Sequence, residues 1–513
     1  MHILHARARY AEQLTKKSQM DNPNDAYFGV MLNGQQRYAF EKFRAWVNGD
    51  KDCFLLRGHA GTGKTTLVHG FIRYLQEKKI RPVLMAPTAR AAKVMGNKAG
   101  VEATTIHRKI YDFSRVDADL EKLAKEQERE QEMSKTSAPL IFTLVSEIDR
   151  CTTNGGQCIY LVDEASMIGN NKKGHTSFAQ FGSGQLLSDL FSYAPEGRFI
   201  FIGDPIQLPP VRESHSPALD EEYLMRYFQK TAFKIELTKI IRHKGDSGVL
   251  KASMLLRKKY HRPPAEKWPK FPIKGFGDII LHYSEADLVN AYLSKFEAGK
   301  PKDAILICHT NAHAYELNKL IRRTLGRRDN HMIEGDLLLV TQNVFHIPLI
   351  NSDVVEILDI GPKEWRAGLT FTRIRVRKVD APEEEYTTLI IDDVLYSKEN
   401  NVSQRDHRNM MIDFAVRMKE EHGIKQNSPE FKEMMKQDAY LNALKASYGY
   451  VLTVHKAQGG EWDDVFLTFN NKIYVMGSPN IYRWMYTAVT RAKQRLHIMD
   501  DWYYQSGIPK FPH

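Results

Sequence analysis

The chain contains 513 residues, of which 42% are apolar and 26% are charged. This composition is typical of a globular protein, and the length allows about three or four domains. The net charge of +11 favours a polyanionic partner such as a nucleic acid. The sequence has no run of 18 apolar residues and no signal-peptide pattern at its start, so we expect no membrane insertion and a cytoplasmic location by default.

Four cysteines occur, at Cys53, Cys151, Cys158 and Cys308. The pair in CTTNGGQC is spaced more widely than the C-x-x-C pairs that are typical of zinc sites. We therefore expect reduced thiols and no structural metal.

Between Gln36 and about Arg242, short apolar runs alternate with segments of helical periodicity. The runs are CFLL, RPVLMAPT, QCIYLVDEAS and GRFIFIGD. Strands that alternate with helices are typical of a parallel sheet covered by helices, so the sequence predicts an α/β unit here.

The first of these strands leads into the glycine-rich loop GHAGTGKTT. The loop fits the pattern G-x-x-x-x-G-K-[ST] with Gly58, Gly63, Lys64 and Thr65. Such a loop directs backbone N–H groups and a helix N-terminus at phosphate oxygens. We therefore predict a nucleoside triphosphate site in which Lys64 reaches the β and γ phosphates and the Thr65 hydroxyl binds Mg²⁺. The remaining predicted loop contacts are Gly61, Thr62 and Thr66.

Polar residues follow two later strands of the same unit. Asp163 and Glu164 come after IYLV, and we predict that Asp163 supports Mg²⁺ while Glu164 acts as general base for the attacking water. Asp204 and Gln207 follow the next strand in FIGDPIQLPPV. The amide of Gln207 can donate to a phosphate oxygen and accept from water, which predicts a γ-phosphate sensor. The alternative is an ordinary loop stiffened by its three prolines.

The C-terminal half contains a second alternating unit and an insertion. DAILICHTNAHAYELNKLIRRTLG predicts a strand and a helix, and YVLTVHKAQGGEWDDVFLTF with QRLHIMD predicts further strands. Between them, residues 334–446 contain short β-rich runs and turn residues, which predict a small antiparallel barrel followed by a helical segment. The charged run DLEKLAKEQEREQEMSK, in the first half, predicts a solvated helix.

Nine segments in chain order resemble the helicase motifs of superfamily 1. They are LNGQQRYAF, GHAGTGKTT, APTARAAKVM, TTIHRKI, LVDEAS, GDPIQLPPV, LTKIIRH, TVHKAQGGEWDDV and YTAVTRAKQRL. The forms DEAS, GDPIQLPPV and VHKAQGGEWD are similar to those of the RecD and Dda branch, family 1B. The resemblance spans about residues 30 to 500, although NSDVVEIL departs from the pattern at the start of the family's small barrel.

The resemblance implies an ATP site between two domains. Gln36 would read the adenine edge, and Glu461 would bond the ribose hydroxyl. Arg242 and Arg491 would reach the γ-phosphate from across the cleft. The implied catalytic residues are Lys64, Asp163, Glu164, Gln207, Arg242 and Arg491.

The resemblance also implies a path for single-stranded DNA. The first domain would contact the strand through Pro87, Thr88, Thr105 and His107, and the second through Thr453, His455 and Gln458. Hydroxyl and imidazole groups suit contacts that are independent of base sequence. The segment between Thr105 and Ile159 lies where the family inserts a strand-separating pin, in which Tyr111 or Phe113 would either stack on a base or belong to the core.

The implied fold is α/β, with two RecA-like P-loop parallel-sheet domains, an inserted pin subdomain and an inserted small SH3-like β-barrel. We expect an N-terminal extension at 1–29 and a first core at 30–245 that contains the pin region 108–157. The second core would combine 246–333 with 447–513, and 334–446 would form the barrel and a helical segment.

We therefore expect an ATP-dependent 5′→3′ DNA helicase or translocase, with ATP and Mg²⁺ as cofactors, that serves replication, recombination or repair. Its partners would be single-stranded DNA, duplex with a single-stranded tail, and single-strand-binding or replication and repair proteins. The polarity rests on the resemblance alone. The alternatives are a translocase that strips proteins from single strands and a nucleotide-dependent regulatory or assembly ATPase of a repair or anti-phage complex. No carboxylate and lysine cluster outside the motifs supports a nuclease.

Overall fold

The computed structural model describes residues 23–116, 120, 142–145, 158–172, 179–210, 213–241, 247–297, 300–344, 346–399 and 401–508. Arg242, Cys151 and nearly all of the charged run predicted as a solvated helix lie outside these ranges. Within the described residues, no helix is both long enough and apolar enough to cross a membrane.

The first half of the chain contains nine described strands and six described α-helices. The strands are β1 (Cys53–Gly58), β2 (Arg81–Ala86), β3 (Ala103–Thr105), β4 (Asp112–Val116), β5 (Phe142–Val145), β6 (Cys158–Val162), β7 (Ala179–Phe181), β8 (Arg198–Gly203) and β9 (Ala232–Leu237). The helices are α1 (Gly34–Val47), α2 (Lys64–Glu77), α3 (Ala89–Ala99), α4 (Ile106–Ile110), α5 (Leu186–Tyr193) and α6 (Glu221–Phe228).

Six of these strands form a parallel sheet in the order β3-β2-β6-β8-β1-β9. Side chains alternate between the two faces of a strand. In β1, Phe54 and Leu56 accordingly pack against α1 and α2, whereas Cys53 and Leu55 pack on the opposite face against α5. Because both faces are covered, the central strands β6 and β8 are nearly continuous apolar runs in the sequence. β4, β5 and β7 form a small separate sheet.

The elements that follow residue 247 form a second parallel sheet, an insertion and two separate two-stranded sheets. The strands are β10 (Phe271–Lys274), β11 (Ile279–His282), β12 (Phe296–Glu297), β13 (Lys300–Pro301), β14 (Ala304–Cys308), β15 (Leu337–Val340), β16 (Val354–Arg366), β17 (Leu369–Lys378), β18 (Glu385–Ile391), β19 (Ala446–Tyr448), β20 (Val451–Thr453), β21 (Trp462–Leu467), β22 (Ala492–Met499) and β23 (Tyr504–Ser506). The helices are α7 (Gly248–His261), α8 (Glu285–Leu293), α9 (Asn311–Thr324), α10 (Asp392–Leu395), α11 (Gln404–His422), α12 (Pro429–Gln437) and α13 (Asn480–Val489).

The second parallel sheet has the order β11-β22-β21-β14-β20. β14 and β20 are neighbours in this sheet although β15 to β19 lie between them in sequence, so the insertion leaves and rejoins the unit at adjacent strands. The prediction of an α/β fold with two parallel-sheet units is confirmed. The predicted domain limits stay predictions.

The insertion contains an antiparallel sheet in the order β18-β17-β16-β15-β19. Just before β19, the backbone of Leu444 hydrogen-bonds with Leu389 and Ile391 of β18, at the other edge. One segment of chain therefore reaches both edge strands, which curls the sheet towards closure. The SH3-like assignment remains a prediction. Leu120, from the predicted pin region, packs among apolar residues of α11 and α12.

The described cysteines differ in state. Cys53 and Cys308 are buried free thiols, as expected. Cys158 is disulfide-bonded, so the expectation of reduced thiols is wrong at this position. The sequence spacing of Cys151 and Cys158 argued only against a zinc site, and it gave no information on whether their thiols are oxidised.

Candidate functional site

The predicted site residues of the first unit collect at one edge of its sheet. The residues in question follow β1, β2, β3, β6 and β8, and all of these strands run in the same direction. Parallel strands end at the same edge of a sheet, and this edge is where open α/β sheets bind ligands. The tertiary structure thus brings together motifs that are far apart in sequence.

The glycine-rich loop connects β1 to α2 in the predicted strand, loop and helix arrangement. Gly61 and Gly63 have φ angles of +78° and +81°, which only glycine adopts without strain. A Cβ at Gly63 would lie 2.5 Å from Nε2 of Gln36, and one at Gly58 would lie 2.8 Å from Oγ1 of Thr62. The loop therefore favours glycine for conformation at Gly61, for space at Gly58 and for both reasons at Gly63.

Lys64 folds back over this loop. Its Nζ donates to the carbonyl oxygens of Gly58 at 2.7 Å and His59 at 3.0 Å. Thr65 and Thr66 follow in the first turn of α2 and are partly exposed. The ammonium group and the helix N-terminus thus face the concave side of the loop, which fits a polyphosphate.

Asp163 and Glu164 lie immediately after β6. Oδ1 of Asp163 accepts a hydrogen bond from the backbone N–H of Glu164 at 2.8 Å, and Glu164 has a left-handed backbone with φ of +49°. Burial raises the pKa of both carboxyls, and the charge of Asp163 raises the pKa of Glu164 further. The positive charges of Arg491 and Lys64 act in the opposite direction and lower the pKa of Glu164. A divalent cation at this position would favour the ionised carboxylates, and Asp163 with Thr65 would hold it.

Gln207 and Asp204 lie in the loop after β8. Gln207 is 4% exposed, and its Oε1 has no hydrogen-bond partner among the described residues. A buried amide oxygen without a partner fits a site that receives a water molecule. Asp204 is 0% exposed and accepts hydrogen bonds from Arg257 and Tyr486 of the second unit. Its carboxylate therefore joins the two units.

Gln36 lies against the glycine-rich loop. Its Oε1 accepts from the backbone N–H of Asn33 at 3.1 Å, and its Nε2 lies 3.4 Å from the carbonyl oxygen of Thr62. The backbone N–H of Ile241 donates to Gly61 at 2.9 Å, so the chain just before Arg242 is also attached to the loop. The adenine-reading role of Gln36 stays a prediction, and Arg242 lies outside the described residues.

The second unit contributes Arg491 to this cleft. Arg491 is 3% exposed, and its guanidinium donates to the carbonyl oxygens of Thr487 at 3.0 Å and Gly460 at 3.1 Å. Glu461 is exposed in the next position of the same loop. The γ-phosphate role of Arg491 stays a prediction, since its guanidinium is bonded within its own unit here.

Two of the residues predicted to contact DNA cap helices in the first unit. Oγ1 of Thr88 accepts from the backbone N–H of Ala91 at 3.3 Å, and Oγ1 of Thr105 accepts from Arg108 at 3.2 Å. Each hydroxyl keeps its own hydrogen for donation to a phosphate, and each lies beside a helix N-terminus. Pro87 and His107, their neighbours in sequence, are partly exposed.

The predicted DNA contacts of the second unit follow β20. Thr453 is buried at the end of the strand, and His455 is partly buried, which lowers its pKa. Gln458 is 2% exposed, and its Nε2 donates to the carbonyl oxygen of Leu208 at 3.2 Å. Gln458 therefore bonds across the cleft in this conformation, and of these three residues only His455 is partly open.

The pin candidates have different surroundings. Tyr111 donates to Asp189 of α5 at 2.6 Å and is partly buried, which favours the alternative that it belongs to the packing of the first unit. Phe113 lies in β4.

Sequence reasoning missed several residues of the cleft. Tyr486, Thr487 and Arg483 of α13 and Arg257 of α7 all bond to the first unit. In YTAVTRAKQRL only Arg491 carried a prediction. The helical spacing of the three α13 residues was the available signal, because positions i, i+3 and i+4 share one face.

Models of two known protein families match parts of this chain, and two curated helicases are similar to most of it. The AAA domain model matches residues 31–266, and the UvrD-like helicase C-terminal domain model matches residues 448–499. The chain is 23% identical to the ATP-dependent DNA helicase Dda of Enterobacteria phage T4, over 90% of this chain and 98% of that protein. It is 22% identical to the ATP-dependent RecD2 DNA helicase of Deinococcus radiodurans, over 86% of this chain but only 46% of that protein.

A solved structure of Bacteroides Pif1 helicase with ADP-AlF3 and ssDNA is similar over 94% of this chain and 95% of that one, with 14% identity and a TM-score of 0.47. The two parallel sheets by themselves define the α/β fold of this chain. The chain is a P-loop protein that combines an AAA domain with a UvrD-like helicase C-terminal domain. It is homologous to Dda and RecD2, and the predicted resemblance to the RecD and Dda branch is confirmed.

Proposed function

We propose that this protein is an ATP-dependent DNA helicase that moves 5′→3′ along single-stranded DNA and unwinds duplex with a single-stranded tail. The observation that carries the proposal is the divided site: Tyr486 of the second unit hydrogen-bonds to Ala60 of the glycine-rich loop and to Asp204, and Arg491 follows the same helix. When a nucleotide site lies between two units, ATP hydrolysis can be coupled to a change in the distance between them. The names and activities of Dda and RecD2 support the assignment to DNA unwinding.

Each residue of the site has a separate role in ATP hydrolysis. The glycine-rich loop and Lys64 bind the phosphates, and Glu164 orients the attacking water and takes its proton. The unpartnered oxygen of Gln207 accepts a hydrogen bond from that water. Arg491, with Arg242 as the second proposed arginine, stabilises the charge that spreads over the transferred phosphoryl group. Mg²⁺, held by Thr65 and Asp163, would neutralise phosphate charge when bound.

The DNA contacts belong to both units. Thr88 and Thr105 would donate to phosphates from the N-termini of α3 and α4, and His455 would contact the strand from the second unit. If each unit holds the strand in turn, every closure and opening of the cleft advances the protein along it. We include single-strand-binding and replication or repair proteins among the proposed partners.

Two measurements test this function. ATP turnover should rise when single-stranded DNA is added, whereas a regulatory or assembly ATPase would show no such stimulation. Strand displacement should then be measured on matched duplexes with either a 5′ or a 3′ tail. Displacement from the 3′ tail alone would reverse the proposed polarity, and stimulated turnover without displacement would favour the translocase.

A further inference from the structure

The loop after β8 is held by one face of α13, from the other unit. NH1 of Arg483 donates to the carbonyl oxygen of Ser214 at 2.7 Å, and Oγ1 of Thr487 accepts from the backbone N–H of Leu208 at 3.0 Å. Tyr486 lies between them on the same face and donates to the carboxylate of Asp204. All three α13 side chains are buried. The loop that carries Gln207 thus cannot move without affecting α13.

Tyr486 also bonds to the glycine-rich loop. Its hydroxyl oxygen accepts from the backbone N–H of Ala60 at 3.3 Å. Burial and the neighbouring Asp204 raise the pKa of Tyr486 well above its ordinary value, so the hydroxyl stays protonated and donates to Asp204. One oxygen atom therefore joins the glycine-rich loop, the loop after β8 and α13.

The carboxylate of Asp204 is held from both units, since the backbone N–H of Ile206 in its own loop also donates to Oδ1, at 3.0 Å. NH1 of Arg257 in α7 donates to its Oδ1 at 3.2 Å, while NH2 of the same arginine donates to Glu236 of β9 at 3.1 Å. Asp204 is completely buried, so each lost donor leaves part of its charge uncompensated. Because the Tyr486 hydroxyl donates to this fixed carboxylate, its position is also well defined.

The connection continues from α13 to the proposed arginine finger. The same Thr487 that accepts from Leu208 presents its carbonyl oxygen to Nε of Arg491. NH2 of Arg491 also donates to Oγ1 of Thr490, at 3.2 Å. A shift of α13 relative to the first unit therefore moves the guanidinium of Arg491.

We propose that Tyr486 is a positioning residue that transmits nucleotide occupancy of the glycine-rich loop to α13 and so sets the position of Arg491. The backbone N–H groups of such a loop turn towards bound phosphates, and the bond from Ala60 to Tyr486 depends on that orientation. Tyr486 does not touch the reacting atoms; it acts through Arg491. This inference rests on the proposed helicase function.

The test compares Tyr486→Phe with Tyr482→Phe. Tyr482 is a matched control because it lies on the same helix, is completely buried and has a hydroxyl without a partner in the described part of the chain. Tyr486→Phe should keep the affinity for an ATP analogue within about twofold and lower the DNA-stimulated kcat about tenfold, because it loses a hydrogen bond to a charged group. Tyr482→Phe should match the wild type in both measurements.

A second pair of variants covers the case in which Tyr486→Phe does not fold. Thr487→Ser keeps the acceptor for Leu208 and should retain DNA stimulation, whereas the isosteric Thr487→Val should lose it. Equal kcat values for Tyr486→Phe and the wild type, or an equal loss in Tyr482→Phe, would overturn the inference. A wild-type enzyme without DNA-stimulated turnover would instead overturn the proposed function, so the two failures are distinguishable.

Discussion

At the residue scale, Glu164 differs from an ordinary surface carboxylate. It has a left-handed backbone, and burial together with Asp163 raises its pKa. Lys64 and Arg491 favour its ionised form. A carboxylate balanced between these influences is suited to accept a proton from water.

Glu164→Gln should keep the affinity for nucleotide and single-stranded DNA, because the amide preserves the shape of the side chain. Its turnover should fall about 10²- to 10⁴-fold, which is the usual cost of losing a general base. Steady-state ATP hydrolysis and analogue binding measure the two effects, and Glu102→Gln, an exposed glutamate before β3, is the control. A fall of less than about threefold would assign Glu164 a structural role.

Arg491 should matter more for hydrolysis than for binding. An arginine finger contributes about 10³- to 10⁵-fold to turnover, and lysine retains its charge but loses the planar fork. Arg491→Lys should therefore be impaired, and Arg491→Ala more strongly. DNA-stimulated turnover and ATP-analogue affinity should be measured for both variants. Wild-type turnover in both would mean that the units do not close on the nucleotide as proposed.

At the element scale, the start of α2 depends on its glycine-rich loop. The helix begins directly after Gly63, whose left-handed conformation aims the first turn at the loop. Gln36 of α1 and Ile241 after β9 contact the same glycine from outside. A Cβ at Gly63 would therefore displace the ends of both side chains.

Gly63→Ala should abolish nucleotide binding and lower the melting temperature. Its Cβ would approach Nε2 of Gln36 to 2.5 Å and Cδ1 of Ile241 to 2.9 Å. Gly100→Ala is the matched control, since Gly100 has a similar φ of +64° but nothing within 4 Å of the new Cβ. The control should lose about 1 kcal/mol through backbone strain and retain binding. Equal nucleotide affinity in both variants would show that the close packing around Gly63 is not needed.

At the scale of the whole molecule, the net charge of +11 acts together with the two-unit architecture. The proposed contacts are to phosphates, from threonine hydroxyls, helix N-termini and His455. Such contacts release counterions but do not distinguish bases. Affinity should therefore depend on salt much more than on sequence.

The logarithm of the association constant for single-stranded DNA should fall linearly with the logarithm of salt concentration. Each neutralised phosphate contributes about 0.7 to the slope for a single strand. Titrations with two unrelated sequences of equal length, over a range of salt concentrations, measure both dependences. A flat salt response, or tight binding of one sequence only, would contradict the proposed DNA path.

The sequence by itself determined the local chemistry of this protein. The apolar runs predicted buried parallel strands, and the glycine pattern predicted the loop before Lys64, because these features depend on neighbouring residues. It also indicated Arg491 through resemblance to a known motif. In each case the information is local in the chain.

Only the tertiary structure decided which distant groups meet. No local pattern indicates that Tyr486 bonds to Ala60 and Asp204, or that Gln458 bonds to Leu208 across the cleft. The sequence predicted the insertion at 334–446, but the direct pairing of β14 with β20 on either side of it became clear only from the structure. Such contacts arise from the packing of two separately formed sheets, and their energy depends on burial and geometry that a sequence pattern does not contain.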